Sequence, residues 1–162
     1  FINCAYKGAQ NPEYIRLPDT NEIKELNDIT PVKIVTVAPE VEGALQFISD
    51  MREMGIVTSA GHSGATYAEF LAAKAAGLTH LMHLREIGLV GAGFADNDIK
   101  IELICDKLHV KPDIIKIVFN TKPVDQIILI TDSLLASGLP DGKYVMGGLE
   151  LFVKKRVWLQ VR

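Results

Sequence analysis

The chain has 162 residues, of which 48% are hydrophobic and 23% are charged, a composition typical of a soluble globular protein with its own core. A formal net charge of −3 argues against nucleic acid or an anionic membrane as a partner. No apolar run approaches the roughly 18 residues that cross a bilayer. Two isolated cysteines, Cys4 and Cys105, indicate reduced thiols in a cytoplasmic protein. Because the first residue is Phe1, we expect a segment of a longer protein.

The predicted elements begin after a polar, proline-interrupted stretch over residues 1–30, which we interpret as an irregular loop with one helical turn. β-branched and apolar runs predict strands, and apolar residues at helical spacing predict helices. Strands are predicted over 32–38, 56–60, 78–84, 99–106 and 127–131, and helices over 42–54, 66–76 and 112–121.

This alternation predicts an α/β fold with βαβ units and a parallel sheet. About five βα steps are too few to close an eight-stranded barrel, so the sequence leaves an open sheet or part of a (β/α)8 TIM-type barrel. The placement of polar residues at strand ends favours the partial barrel. Residues 143–162 alternate like antiparallel strands. We therefore predict a partial-barrel catalytic domain over 1–135 and a small β-rich extension over 136–162.

Histidines and a carboxylate lie within or directly after three of these strands. His62 comes after strand 56–60, His80 and His83 lie in strand 78–84, and Asp132 follows strand 127–131. Neutral imidazole is the commonest ligand for a divalent transition metal, and the ends of barrel strands meet at one mouth. The pattern predicts hydrolysis by a metal-activated water.

Several short motifs occur in the order found in one family of enzymes. They are residues 1–12, 37–40, 61–63, 106–109, 130–132 and 139–142. Together they resemble the bacterial N-acetylglucosamine-6-phosphate deacetylases of the amidohydrolase superfamily. The resemblance implies a (β/α)8 barrel that hydrolyses the acetamide of N-acetylglucosamine 6-phosphate to acetate and glucosamine 6-phosphate. It also implies a divalent metal ion, with zinc, iron, manganese and cobalt indistinguishable from sequence.

The resemblance makes His62 a metal ligand and leaves His80 or His83 as the second. The two family ligands are about 21 residues apart, and 83 − 62 = 21 whereas 80 − 62 = 18. Alternation along the strand places Thr79, Leu81 and His83 on one face, with His83 nearest the carboxyl end. We therefore favour His83 and interpret His80 as an interior histidine.

Asp132 would be the general base and acid of the reaction by the same resemblance. The alternative is that its carboxylate only caps the turn before Ser133. Four substrate-binding residues are also implied: Ala9, Gln10, Arg85 and His109. Arg85 would hold the sugar phosphate through its guanidinium, and the alternatives are a solvated strand end for Arg85 and a surface loop for His109. The implied partner is the phosphorylated amino sugar, and the sequence leaves open whether the chain forms a homo-oligomer.

The chain also departs from the family pattern. Lys107 stands where the family has a glycine, Ile87 replaces a proline, and about nine residues are missing after His83. The family's carboxylate ligand lies in a His-Leu-Glu-Gly-Pro motif that would precede Phe1. The alternative function is therefore a catalytically inactive remnant, at most a phosphosugar-binding domain.

Overall fold

A computed structural model of the chain describes residues 1–82, 87–154 and 157–160. The helices are Thr20–Ile29 (α1), Ala44–Glu53 (α2), Tyr67–Ala76 (α3), Ile87–Ala95 (α4) and Pro112–Thr121 (α5). The strands are Ile34–Val37 (β1), Val57–Ala60 (β2), His80–Met82 (β3), Lys100–Ile104 (β4), Ile127–Ile130 (β5), Gly142–Met146 (β6), Leu149–Lys154 (β7) and Val157–Gln160 (β8). Three short 3₁₀ turns cover Cys4–Tyr6, Pro12–Tyr14 and Val124–Gln126.

Strands β1 to β5 form one parallel sheet in sequential order, which confirms the predicted α/β class. The register pairs Thr36 with Ser59, Ser59 with His80, and His80 with Lys100. In the described part of the chain β1 and β5 are the two edges of this sheet. A sequential parallel order is the order of barrel strands, and closure into a barrel stays a prediction.

The two faces of the sheet differ in their neighbours. Val37, Ala60 and Leu81 are fully buried in the main core, against side chains of α2 and α3 such as Phe47 and Phe70. Helix α3 is held at its start by a reciprocal capping box between Thr66 and Glu69, which satisfies backbone donors at the helix N-terminus. The opposite face carries Thr36, Ser59, His80, Met82 and Glu102, and this face leads to the cavity described below.

The prediction of an irregular loop over residues 1–30 was wrong for its second half, because α1 forms there. Asp19 caps the helix by accepting a hydrogen bond from the Asn21 N–H at 2.8 Å, and Thr20 bonds Asp50 of α2 at 2.7 Å. Ile23 is its only buried residue, whereas Leu26 and Ile29 are exposed. These three residues recur every third position, a helical spacing that was overlooked because the segment is polar and interrupted by prolines.

Helix α4 was also missed, for a different reason. Its sequence is apolar and glycine-rich throughout, with Leu89 and Ala92 buried, so it has no polar face from which a helical period can be read. The fourth strand is where the sequence predicts it, although Glu102 lies within it. That side chain is 5% exposed and accepts a hydrogen bond from the Ser59 hydroxyl at 2.8 Å.

Strands β6 to β8 form a separate antiparallel sheet, which confirms the predicted change of pattern. Ala136, Leu151 and Val153 make a small core beneath it. The turn between β6 and β7 is Gly147-Gly148, with φ of +57° and +79°, a left-handed pair that glycine adopts without strain. The domain boundary at residue 135 stays a prediction. Within the described residues, no helix is long and apolar enough to cross a membrane.

Candidate active site

A cavity of about 490 Å³ lies at the carboxyl ends of the parallel strands, a volume typical of small-ligand sites. Thr36, Met82 and the residues following β2 and β5 form its floor. The N-terminal segment and the Gly147 turn form its walls. The lining residues are Phe1, Ile2, Ala9, Gln10, Asn11, Tyr14, Ile15, Thr36, His62, Met82, Asp132, Leu134, Met146 and Gly147. Four of the predicted site residues, Ala9, Gln10, His62 and Asp132, therefore share one cavity.

His62 enters this cavity from an unusual backbone conformation. Its φ is +50°, in the left-handed region that few non-glycine residues occupy. The ring Nδ1 lies 3.0 Å from the carbonyl oxygen of Tyr6, and a carbonyl only accepts, so Nδ1 is the protonated nitrogen. The neutral ring then has its lone pair on Nε2. Histidines that bind metals commonly fix their tautomer through such a backbone carbonyl.

The N-terminal segment packs closely around His62. The Asn3 N–H donates to the His62 carbonyl at 3.0 Å. A Cβ added to Gly8 would lie 3.4 Å from His62 Cε1, and one added to Gly64 would clash with the Tyr6 ring. Glycine at position 64 therefore permits the close approach of Tyr6 to this loop, and glycine suits position 8 because its φ is +58°.

Asp132 reaches the same cavity from the end of β5. Its φ is also +50°, so the His62 and Asp132 backbones are both left-handed two residues after their strands. Asn, Asp and His are the non-glycine residues most often found in this conformation. Non-glycine residues held there cluster at functional sites, which motivates a functional hypothesis for the pair.

His83 and Arg85 lie outside the described residues, so their predicted roles stay predictions. The strand before them is informative. Met82 lines the cavity, whereas Leu81 is buried on the helix-covered face. Alternation along β3 therefore does not itself favour His83, contrary to our expectation, and the 21-residue spacing remains the argument for it.

His80 is not among the residues that line the cavity. It is 9% exposed, and its Nδ1 lies 2.8 Å from the Thr79 hydroxyl. Burial, followed by the positive charge of Lys100, lowers the pKa of its imidazole. These features agree with the interpretation of His80 as an interior histidine.

His109 lies in the loop after β4, away from the residues that line the cavity. Its Nδ1 contacts Asp106 at 2.5 Å, and the carboxylate also accepts the Leu108 and His109 N–H groups. Burial opposes ionisation of Asp106, but these hydrogen bonds outweigh it and lower its pKa to about 2. Lys107 between them has φ +67°, which explains why a glycine suits this position.

The donor chemistry of the cavity fits a divalent transition metal in kind, since it combines a neutral imidazole of fixed tautomer with a carboxylate. Among the described residues no group of three or more His, Cys, Asp or Glu is arranged to hold a metal ion. His62 and Asp132 are thus the described part of any such site.

Two polar residues near His62 had no role in the sequence-based prediction. Glu40 and Asn3 hydrogen-bond each other at 2.9 Å and flank the His62 loop. Glu40 belongs to motif 37–40 and Asn3 to motif 1–12. The sequence therefore placed both residues in family motifs but did not indicate that they contact each other.

The relatives of this chain are deacetylases of phosphorylated N-acetyl amino sugars. No family model matches the chain. It is 35% identical to N-acetylglucosamine-6-phosphate deacetylase of Bacillus subtilis (strain 168), over 98% of this chain and 43% of the relative. It is 36% identical to N-acetylgalactosamine-6-phosphate deacetylase of Escherichia coli O157:H7, over 90% of this chain and 41% of the relative.

Solved structures agree with the sequence relatives. The N-acetyl-D-glucosamine-6-phosphate deacetylase of Mycobacterium smegmatis, in complex with N-acetyl-D-glucosamine-6-phosphate, matches 98% of this chain and 45% of its own, with a TM-score of 0.90 and 33% identity. The Thermotoga maritima enzyme gives a TM-score of 0.87 at 37% identity. The chain is thus a homologue of the N-acetylglucosamine-6-phosphate deacetylases, and the resemblance seen in its motifs is confirmed. It spans about 43% of the length of the Bacillus subtilis relative.

Proposed function

We propose that the protein containing this chain hydrolyses the acetamide of N-acetylglucosamine 6-phosphate, giving acetate and glucosamine 6-phosphate. The observation that carries the proposal is the cavity that contains both His62 and Asp132, in a chain whose relatives are named deacetylases. A carboxylate in the same cavity as a histidine that could hold a metal ion is suited to metal-assisted amide hydrolysis.

His62 and His83 would hold a divalent metal ion, His62 through Nε2. When bound, such an ion polarises the acetamide carbonyl and lowers the pKa of water toward neutrality. The Tyr6 carbonyl fixes the His62 tautomer, so Nε2 is the nitrogen that would bind the ion. Zinc, iron, manganese and cobalt all accept such donors.

Asp132 would move the proton during hydrolysis. Its carboxylate would accept the proton of the attacking water as the new C–O bond forms. It would then deliver that proton to the amine nitrogen as the C–N bond breaks. Acetate and the free amino sugar are the two products, and Asp132 ends in its starting state.

Ala9 and Gln10 line the cavity, where they would contact the sugar. Arg85 would bind the phosphate through its guanidinium, which matches phosphate geometry with two parallel hydrogen bonds. His109 would contact the substrate only if the loop after β4 turned toward the cavity. We place the protein in the cytoplasm, because Cys4 and Cys105 are free thiols.

N-acetylgalactosamine 6-phosphate is a second candidate substrate. The relative named for that sugar is 36% identical to this chain, and the relative named for the glucosamine sugar is 35% identical, so the sequence relatives do not separate the two epimers.

The test is acetate release by the purified protein from each of the two sugars, with zinc, iron, manganese or cobalt added in turn. We expect release with at least one metal and loss of release after chelation. No release from either sugar under any of these conditions would contradict the proposal and favour an inactive phosphosugar-binding remnant.

A further inference from the structure

The Glu40 carboxylate joins two segments of the chain next to the cavity. Glu40 lies three residues after β1 and is partly buried. Its Oε1 accepts hydrogen bonds from the Asn3 side chain at 2.9 Å and from the Gly64 N–H at 2.7 Å. Its Oε2 accepts the Ser63 hydroxyl at 2.6 Å. One donor thus comes from the N-terminal segment and two come from the loop that directly follows His62.

These two segments are the ones that orient the His62 ring. Asn3 donates its backbone N–H to the His62 carbonyl, and Tyr6 donates its own N–H to the Asn3 carbonyl at 2.9 Å. Tyr6 in turn accepts the His62 Nδ1–H at 3.0 Å. The Glu40 carboxylate therefore completes a closed cycle of hydrogen bonds that begins and ends at the His62 loop.

This cycle of hydrogen bonds surrounds a strained stretch of backbone. His62 has φ +50°, and such a conformation persists only where the surrounding contacts over-determine it. Hydrogen bonds to an ionised carboxylate are about twice as strong as those between neutral groups. Glu40 accepts three such bonds, two from the His62 loop and one from Asn3. Glu40 is not among the residues that line the cavity, so it acts through other residues.

We propose that Glu40 is a positioning residue for His62. The Glu40 carboxylate clamps the N-terminal segment to the His62 loop and so keeps the Nδ1 proton on the Tyr6 carbonyl and the lone pair of the ring on Nε2. The inference deepens the proposed function and rests on it for the role of His62 as a metal ligand. The alternative is that Glu40 stabilises the fold without influencing the ring.

The direct test reads the tautomer of His62 in the metal-free 162-residue chain. Long-range ¹H–¹⁵N correlation spectra at a pH where imidazole is neutral distinguish a proton on Nδ1 from one on Nε2. We expect the wild-type ring to be protonated on Nδ1. Glu40→Ala should shift the tautomer ratio toward Nε2–H by about five- to tenfold, the loss expected for one neutral hydrogen bond.

Glu69→Ala is the matched control. Glu69 accepts the Thr66 N–H and hydroxyl, both at 2.7 Å, in the capping box just beyond the same loop. Replacing Glu69 by Ala removes comparable hydrogen bonds to a carboxylate. It leaves the contact between Asn3 and Glu40 in place. We expect the wild-type tautomer in Glu69→Ala. An unchanged ratio in Glu40→Ala, or an equal shift in both variants, would overturn the proposal.

A second variant keeps the test decisive if Glu40→Ala does not fold. Asn3→Asp preserves the oxygen that accepts the Ala5 N–H at 2.9 Å, but it places a carboxylate oxygen against Glu40. It should shift the tautomer ratio in the same direction. Adding Glu40→Gln to it restores a donor between the two side chains and should recover part of the wild-type ratio. No shift in Asn3→Asp, or no recovery in the double variant, would contradict the clamp.

Zinc binding separates this inference from the proposed function. In competition titrations with Zn²⁺ alone, Glu40→Ala should bind 10- to 100-fold more weakly, the usual effect of removing a group that orients a ligand. Glu69→Ala should bind like the wild type. His62→Asn, which tolerates the left-handed backbone, should remove His62-dependent binding. If the protein that contains this chain binds none of zinc, iron, manganese and cobalt while the tautomer shifts as expected, the proposed function fails and the Glu40 role stands. If metal binds but the tautomer does not shift in Glu40→Ala, the positioning role of Glu40 fails and the proposed function stands.

Discussion

Asp132→Asn in the protein that contains this chain should remove most turnover while leaving the fold intact. Asn accepts the left-handed conformation that Asp132 adopts at φ +50°, so the free energy of unfolding should change by less than about 0.5 kcal/mol. The substitution deletes the proton acceptor. A positioned general acid or base contributes roughly 10²- to 10⁴-fold in rate, which corresponds to about 3–5 kcal/mol in the activation barrier.

The assay is the initial rate of acetate release over a range of substrate concentrations, with the metal content and thermal melting of the same sample. We expect kcat to fall with little change in KM, the signature of an interaction made chiefly in the transition state. Metal content should stay at the wild-type level.

Asp132→Ala is the control for backbone strain. Ala in the left-handed region costs about 1–2 kcal/mol, so this variant should lose stability as well as turnover. Turnover in Asp132→Asn within threefold of the wild type would refute the catalytic role and leave the side chain as a turn cap. Loss of metal together with activity would make Asp132 a ligand instead.

The remaining predictions concern the ligands, the isolated chain and the loop after β4. His83→Ala should abolish metal content and activity while His80→Ala mainly lowers stability; the reverse ranking by metal analysis would contradict the spacing argument. The 162-residue chain by itself should bind divalent metal weakly and deacetylate slowly or not at all, because His62 and His83 provide two ligands where catalytic zinc usually has three; tightly held stoichiometric metal would refute this. Lys107→Gly should raise the free energy of unfolding in urea by about 1 kcal/mol, because φ there is +67°; a loss of stability would show that the lysine side chain matters more. The lowered pKa of Asp106, about 2 against a usual 3.8, stabilises the fold above pH 3.8, and this contribution should disappear as the pH falls from 3.8 toward 2. With the side chain 36% exposed, we expect about 1 kcal/mol after solvent screening, and Asp106→Asn should show none of this pH dependence in acid denaturation.

The sequence predicts those features that depend on neighbouring residues. Alternating apolar runs place the five parallel strands within a few residues of their observed bounds, and polar residues after them mark His62 and Asp132. Both depend on local periodicity and on the rule that strand ends meet at one edge. Gly77, which directly follows α3, belongs to the same local information, because glycine commonly ends a helix.

Local sequence patterns could not predict the contacts between distant segments. The Tyr6 carbonyl that fixes the His62 tautomer is separated from it by 56 positions, and no periodicity reports such a pair. The orientation of β3 was also misjudged, because alternation says which residues share a face but not which face is covered by helices. Only the packing of Leu81 against the core settles that question.

The contact between Asn11 and the Gly147 turn has a consequence for the order in which the protein is made. The Asn11 side chain donates to the Gly147 carbonyl at 2.9 Å across 136 positions of sequence. At a synthesis rate of about 5–20 residues per second, a ribosome needs roughly 7–27 s to supply the second partner after the first. Strands β1 to β3 and their helices are complete well before then. The nascent chain therefore carries an unfinished cavity until the β6–β7 turn has been made.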